Sequence, residues 1–562
     1  MNISTYFCRI VLFTLCILVL PSYILGSVVS NGKEKAYVGI DFTALRLSNM
    51  KKLHLTDPEG VLVTDVIKGS PAYKSGLRVD DVIVKVDTFR VNSTEEFRKI
   101  LAQYSKDNKA TVSYIRNANV VKQQITFAAY PKPPKPKRLS FNNHNLELLK
   151  HQLDIIDKYN KSMGSLAIGQ NEKVLYSRTL GYRYIDADIV LRADADTKYR
   201  IGSISKMFTS VMIFQLIEES KLTLDTKLNR FFPAIPNSEA ITIAMMLSHQ
   251  SGIFSFTEIP DYAPWSLQPR TQDEIMEKII INHPVFSPGE KYEYSNSNYL
   301  LLGYIIELLD NNSYAISLEK RITSLIGVHN TYYGGKIDPA NNEAFSYNNY
   351  GYWQASYESD MSVPGGAGSI VSTASDLVVF IGSLFQGDLI SRKSLKRMLE
   401  TKEGTGSGIF ELPIGWTTYL GHTGFVDNFH SILIYSPKFK YAMAYISNGD
   451  ADVKLSVIAL ATGALSGRIM NIPRYYDEVK ATGIDKYKGS YYNDELQMNI
   501  SVDIINGDVY TQADNQDKIR LEAVLNYKFE CAAMDLSIEF NSDNKLFKLT
   551  QYGETYTFIK TN

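Results

Sequence analysis

At 562 residues and 63.3 kDa the chain is long enough for about three or four domains of roughly 150 residues each. Apolar residues at 44% and charged residues at 21% exclude a chain disordered throughout. With 59 Lys and Arg against 60 Asp and Glu, the net charge of −1 gives no overall field for nucleic acid or an anionic membrane.

The chain opens on a targeting pattern. Arg9 precedes an apolar run from Ile10 to Leu20, Pro21 and Ser22 break it, and Gly26 and Ser27 offer small residues for cleavage. The pattern predicts a signal peptide over residues 1–26 and a secreted or periplasmic protein. An uncleaved signal that leaves the protein membrane-anchored is the alternative, because apolar character resumes from Tyr23 to Val29. Cys8 and Cys16 fall inside the leader, so the mature chain keeps Cys531 alone. Neither an intramolecular disulfide nor a multi-cysteine metal site is then available, and Cys531 reads as a small buried apolar residue.

Composition shifts divide the rest. Residues 36–129 alternate short β-type runs with one helical segment. Residues 130–138, rich in Pro and Lys, form a stiff extended linker, since proline cannot continue a helix or a central strand. Residues 139–472 carry several helical patterns and glycine-rich turns. Residues 480–562 are short alternating strands such as Met498–Ile504, with a type I′ hairpin signal at Asn506-Gly507.

The first block contains Tyr37-Val-Gly-Ile40, the run Gly60–Ile67, and Gly69-Ser-Pro-Ala-Tyr-Lys-Ser-Gly-Leu-Arg-Val-Asp-Asp-Val-Ile83. A short helical turn ends at Gly76, Leu77 packs back, and Asp80-Asp81 turns the chain into the strand Val82–Val86. These motifs resemble a PDZ domain of the kind found in bacterial secreted proteases. The resemblance implies that Thr94–Leu101 is the helix flanking a groove for an extended C-terminal peptide. It also implies that Tyr37, Val38, Gly39 and Ile40 bind the peptide carboxylate. A small sheet that only positions the next domain is the alternative.

The middle block carries the chemistry. Ile201-Gly-Ser-Ile-Ser-Lys206 leads into an apolar helical run through Ile217, with Gly202 and Ser203 where the helix would begin. Ser203 and Lys206 are one turn apart and share a face. A serine at a helix start sits at the positive end of the dipole, and a nearby lysine can take its proton. Ser-x-x-Lys also occurs at Ser48–Lys51 and Ser542–Lys545, without a following apolar helix. Tyr294-Ser-Asn296 enters a helical run from Tyr299 to Ile306, whereas Tyr347-Asn-Asn349 and Tyr491-Tyr-Asn493 lack that context and read as turns. Gly421-His-Thr-Gly-Phe425 reads as a strand entering a second one, with small residues where a ligand backbone can lie close.

These three elements in this order resemble the serine β-lactamase and penicillin-binding protein superfamily, in its class C and D,D-peptidase-like branch. Met246-Leu-Ser-His-Gln-Ser-Gly-Ile253 and the stretch Gly365–Asp376, with Thr373 placed to start a helix, support it. The resemblance implies a multidomain α+β protein whose core is an antiparallel sheet flanked by helices plus a helical subdomain. Carried over by position, Ser203 is the nucleophile, Lys206 its partner and Tyr294 the proton shuttle. Asn296 would hold Lys206 and the substrate amide, and His422, Thr423 and Gly424 form the strand edge that pairs with substrate. Backbone N–H groups of Ser203 and Phe425 would make the oxyanion hole. No metal or other cofactor is expected, no nucleic-acid partner, and no stable membrane insertion once a signal is cleaved. His249 reads as structural.

His422 stands where the β-lactamases and transpeptidases usually have lysine, so a fixed charge for a substrate carboxylate is missing and β-lactam hydrolysis is disfavoured. The last block resembles the small β-barrel appended to such hydrolases. The expectation is an exported serine hydrolase acting through a Ser203 acyl-enzyme, most naturally on amide or peptide bonds as a D,D-peptidase or aminopeptidase-like enzyme. A carboxylesterase of the same fold, and a peptide-binding protein with a silent hydrolase domain, are the alternatives.

Overall fold

A computed structural model of the protein describes residues 36–129, 143–467 and 480–561, apart from 56–58, 68, 402–403, 415–416, 452–456, 515 and 552–553. The expected leader at 1–26 and linker at 130–138 lie outside the described residues. Among those described, no helix is long and apolar enough to cross a membrane.

In the N-terminal unit, a sheet runs in the order Ile40–Ala44, Val61–Val66, Val82–Val86, Lys109–Arg116, Asn119–Thr126. Ile40–Ala44 is therefore an edge strand, and helix Thr94–Leu101 lies beside it, with Phe42 edge-on to Phe97 at 4.7 Å between ring centroids. Ser93 starts that helix by accepting from the Glu96 N–H at 3.1 Å. Asp81, 1% exposed, ties the loop before strand Val82–Val86 to its neighbours by accepting from Arg116 Nε at 2.6 Å and the Arg78 N–H at 2.8 Å.

The central unit is built on a six-stranded antiparallel sheet. Its order is Lys173–Leu180, Ser162–Gln170, Tyr441–Asp450, Phe429–Ser436, Thr417–Val426, Phe410–Ile414. Both faces are covered, which is why the two central strands Ser162–Gln170 and Tyr441–Asp450 are buried almost end to end. Helices Asn143–Lys158 and Val457–Leu465 cover one face through Leu149, Leu153, Ile156, Leu460 and Leu465. Helix Ala374–Gln386 covers the other, and Thr373 starts it by accepting from the Asp376 N–H at 3.1 Å, as the sequence predicts. Helix Ser205–Glu218 has no solvent-facing stripe: every residue from Ser205 to Gln215 is buried, and Phe208 stacks on Phe380 at 3.6 Å. Each fully buried Phe or Leu there stabilises the fold by roughly 1.5–3 kcal/mol. The nucleophile candidate is thus anchored to a helix packed on all sides from Ser205 to Gln215.

The C-terminal unit is a closed barrel of eight strands. Asn506 (φ 54°) and Gly507 (φ 78°) make the expected primed turn between Met498–Ile505 and Asp508–Ala513. Tyr487, Tyr491, Phe529, Phe540, Phe547 and Phe558 fill the interior, so the barrel is packed with rings. Cys531 lies in the same core, 3% exposed, as expected of a small apolar residue.

Two short patterns read as turns are strands. Tyr491-Tyr-Asn493 belongs to the first barrel strand, Gly489–Asn493, where Tyr492 pairs with Ile559. Tyr347–Asn349 pairs with Trp353–Ala355 in a hairpin whose tip meets the barrel. There the Arg520 N–H donates to Tyr350 O at 2.7 Å, and a Cβ on Gly351 (φ +79°) would stand 2.2 Å from Arg520 O. The Tyr347–Asn349 hairpin closes locally and is extended by its contact with the barrel, whereas Gly489–Asn493 pairs both with the next strand and with Glu554–Lys560 at the far end of the chain. Glu522, on the same barrel strand as Arg520, faces Lys161 of the central unit at 3.3 Å and Arg46 of the N-terminal unit at 4.0 Å. Arg46 also pairs with Glu530.

Candidate active site

Strand Tyr199–Arg200 pairs with Ile370–Ser372 and delivers the chain to a tight turn, Gly202–Ile204, from which helix Ser205–Glu218 continues. The turn needs glycine. Gly202 has φ +52°, and a Cβ there would lie 2.7 Å from the backbone nitrogen of Phe425. Gly424 is as constrained, since its Cβ would fall 2.0 Å from Ile201 O, the oxygen that also accepts from Ser431 Oγ at 2.7 Å. Two glycines, one on each side, therefore let strand Thr417–Val426 lie directly against the start of the Ser203 turn.

Lys206, one turn beyond Ser203, is fully buried, and three oxygens receive its Nζ: Ser203 Oγ at 2.9 Å, Asn296 Oδ1 at 2.8 Å and Ala367 O at 2.8 Å. Three acceptors match the three N–H bonds of an ammonium. Asn296 is turned for this job from behind, because its Nδ2 donates to Thr257 Oγ1 at 3.0 Å and its backbone N–H to Ser255 Oγ at 3.1 Å. Asn296 opens helix Asn296–Asp310, so Tyr294 stands on the loop entering it. The ring centroid of Tyr294 is 5.0 Å from Lys206 Nζ.

Two histidines bracket Tyr294. His249 stacks on it at 4.3 Å, and His422 lies 6.5 Å away, edge-on to Phe410 at 4.7 Å. Both are buried, at 1% and 2% exposure. His422 donates from Nδ1 to Thr423 O, while His249 accepts at Nδ1 from the Ser295 N–H at 3.1 Å. The two neutral rings therefore hold opposite tautomers, and each Nε2 is buried without a hydrogen-bond partner among the described residues. Burial, and then the Lys206 charge, push His422 down to about 3 and His249 well below the usual imidazole range.

The structure thus brings Ser203, Lys206, Tyr294, Asn296 and His422 together with the backbone of Gly424 and Phe425. Thr423 is half-buried beside them, and the Phe425 side chain is exposed at 49%. Tyr37–Ile40 forms a separate place in the N-terminal unit. Gly39 (φ +76°) could not carry a Cβ, which would lie 2.3 Å from Ser70 Cβ. Val38 O accepts from the Ala72 N–H and Gly39 O from the Ile67 N–H, both at 3.0 Å. In a trans peptide the N–H points opposite to the C=O, so the Gly39 and Ile40 N–H groups face away from that segment. Sequence motifs do not reveal Thr257, Ser255, the Ala367 carbonyl, Phe410, or the buried Arg200. Arg200 Nη1 donates to Asp427 at 2.7 Å and Nη2 to Glu358 at 2.9 Å.

A serine and a buried lysine on one helical turn, beside a tyrosine loop and the edge of an antiparallel sheet, define a β-lactamase-type serine hydrolase fold. The chain belongs to the Beta-lactamase family, whose model matches residues 153–464, and residues 36–126 match the PDZ domain. Members of the Beta-lactamase family are serine hydrolases. Among curated relatives, Penicillin-binding protein 4* of Bacillus subtilis is 24% identical over 441 residues, covering 71% of this chain and 95% of that protein. Among the solved structures that share the fold are the following two. D-amino acid amidase from Ochrobactrum anthropi SV3 has TM-score 0.50 and 23% identity over 58% of this chain and 97% of that one. The octameric penicillin-binding protein homologue from Pyrococcus abyssi has TM-score 0.50 and 22% identity over 74% of this chain and 99% of that one.

Proposed function

We propose that the protein is an exported serine hydrolase that cleaves amide or peptide bonds through an acyl-enzyme on Ser203. The contact between Lys206 Nζ and Ser203 Oγ, 2.9 Å long and buried on the amine side, carries this reading. Ser203 Oγ attacks the carbonyl carbon as its proton moves to the Lys206–Tyr294 pair, which enters this step with one proton fewer than an ammonium plus a phenol. The carbonyl oxygen takes up negative charge between the Ser203 and Phe425 N–H groups, where one such donor supplies on the order of 10²–10³ in rate. Tyr294 returns the proton to the leaving nitrogen as the C–N bond breaks. Water then adds to the acyl carbon, loses its proton by the same route, and restores Ser203 as the acid leaves.

A neutral His422 favours substrates that place no carboxylate against the strand edge, which suits amides of amino acids better than β-lactams. The same observation supports a second reading, hydrolysis of small esters. Side-by-side turnover of D-amino-acid amides and short-chain chromogenic esters separates the two. The PDZ domain is read as a receptor for extended peptide C-termini, added as a strand to Ile40–Ala44 with the carboxylate at the Gly39 and Ile40 N–H groups.

A fluorophosphonate should label the full chain, and Ser203→Ala should abolish the label. Undiminished labelling of that variant refutes the assignment.

A further inference from the structure

Residues 249–252 run beside 285–293 as a short ladder. The Val285 N–H donates to Gly252 O at 2.9 Å, the Gly289 N–H to Gln250 O at 2.8 Å, and the Glu293 N–H to His249 O at 3.0 Å. One further bond, from the Ser295 N–H to His249 Nδ1 at 3.1 Å, extends the ladder through a side chain. The backbone N–H groups on either side of Tyr294 therefore both end on His249. The imidazole also lies flat against the phenol ring, with centroids 4.3 Å apart and planes 25° apart.

The position of His249 is set by its surroundings. It follows the short helix Ile243–Leu247 in the left-handed region, φ 53°, which histidine, like Asn and Asp, adopts more readily than branched or other bulky residues. Beyond it stands Tyr299, tilted against the imidazole at 5.2 Å and bonded through its hydroxyl to Leu247 O at 2.7 Å. Tyr294 and Tyr299 both present ring faces to Lys206 Nζ, at 5.0 and 5.8 Å from their centroids. His249 supports both.

We propose that His249 is a positioning residue for Tyr294, holding the backbone on both sides of the tyrosine and the plane of its ring so that the phenol meets Lys206 and Ser203. The proposal rests on the reading of Ser203 as nucleophile and Tyr294 as proton shuttle. His249 uses its Nδ1 lone pair on the Ser295 N–H, with the Asn298 amide 3.4 Å away, and its aromatic face on the adjoining Tyr294, so two properties of one ring act on consecutive residues. Those properties can be removed separately. His249→Asn keeps an acceptor close to the Nδ1 position and tolerates the backbone conformation, but offers no ring. His249→Phe keeps a ring and leaves the buried Ser295 N–H without its acceptor.

The test is the rate at which a fluorophosphonate labels the full chain. In that step the Oγ–P bond forms, the P–F bond breaks, fluoride leaves, and the serine proton passes through the Lys206–Tyr294 pair to water. Each His249 variant is expected to slow labelling on the order of 10- to 100-fold with the label still on Ser203. In a Tyr294→Phe background the same substitutions should change the rate less than about twofold, because the group they position is gone. Equal fold losses in both backgrounds overturn the proposal while leaving the roles of Ser203 and Tyr294 standing, as does a wild-type rate in both His249 variants. A Tyr294→Phe protein that labels at the wild-type rate overturns the proposal together with the reading of Tyr294. If His249→Phe fails to fold, by circular dichroism, His249→Asn alone decides between these outcomes.

Discussion

Arg200, three residues before Ser203, donates to Asp427, two residues after Phe425, at 2.7 Å, and both side chains are buried, at 2% and 0% exposure. Asp427 also accepts from the Ser359 N–H at 3.0 Å, and Arg200 reaches Ser359 O at 2.8 Å and Glu358 at 2.9 Å. One ion pair therefore joins the two chain segments that would supply the oxyanion donors. Removing Asp427 weakens the pairing of the buried Arg200, which keeps Glu358, so the cost falls below the roughly 3–5 kcal/mol of a fully stranded charge. Asp427→Ala is expected to lower the melting temperature and slow Ser203 labelling together, with Asp427→Asn milder in both. Calorimetry beside labelling kinetics checks this, and an unchanged melting temperature in Asp427→Ala would contradict it.

The contact between the serine turn and strand Thr417–Val426 gives a second expectation. A methyl group at Gly202 would press on Phe425 N at 2.7 Å, in a left-handed conformation that alanine also resists. Gly202→Ala should reduce labelling on the order of 10²–10³-fold, the scale of one lost oxyanion donor. Gly335, where an added Cβ meets nothing within 4 Å, is the control. Gly335→Ala should stay within about 0.5 kcal/mol of the parent in stability.

Thr257 holds Asn296 by accepting from Nδ2 at 3.0 Å, which leaves Oδ1 turned to Lys206. Thr257→Val removes that acceptor at nearly the same volume. A net hydrogen bond is worth about 1 kcal/mol, so turnover should fall roughly fivefold, and Thr257→Ser should restore it. Equal rates for Val and Ser would show that the amide is held by other means.

Acid should destabilise the protein through its buried histidines. His422, held at about 3 by burial and then by Lys206, stays neutral when folded but takes up a proton near 6.5 when unfolded. Between those values the unfolded chain binds more protons, so stability is full above pH 6.5 and declines as pH falls toward 3. His422→Asn should flatten the fall in melting temperature between pH 6.5 and 4.5. The rate profile should show no histidine inflexion between pH 5 and 7. A variant whose pH dependence parallels the parent's would contradict this.

The parts of the site carried by local pattern were readable from sequence. Ser203 and Lys206 declare themselves by one helical turn followed by an apolar run. Tyr294 and Asn296 declare themselves by a loop entering a helix, and His422 to Phe425 by small residues in a strand. Thr257 and Ala367 carry no such mark, because one acts by a hydroxyl from an irregular segment and the other by its backbone carbonyl. The Arg200–Asp427 pair spans 227 residues of sequence, and neither residue sits in a pattern that announces the other. Tyr347–Asn349 misleads differently: its strand partner Trp353–Ala355 lies just beyond the turn, and only its contact with Arg520 of the barrel is remote.

Peptide mapping by mass spectrometry tests the covalent step itself. The purified full chain would be mixed with a chromogenic ester or amide, quenched in acid within milliseconds, digested and mapped. The expected result is one acyl group on the peptide carrying Ser203 in the wild-type protein and none in Ser203→Ala. Turnover that proceeds in wild type with the acyl group on another residue, or unabated in Ser203→Ala, would contradict the account.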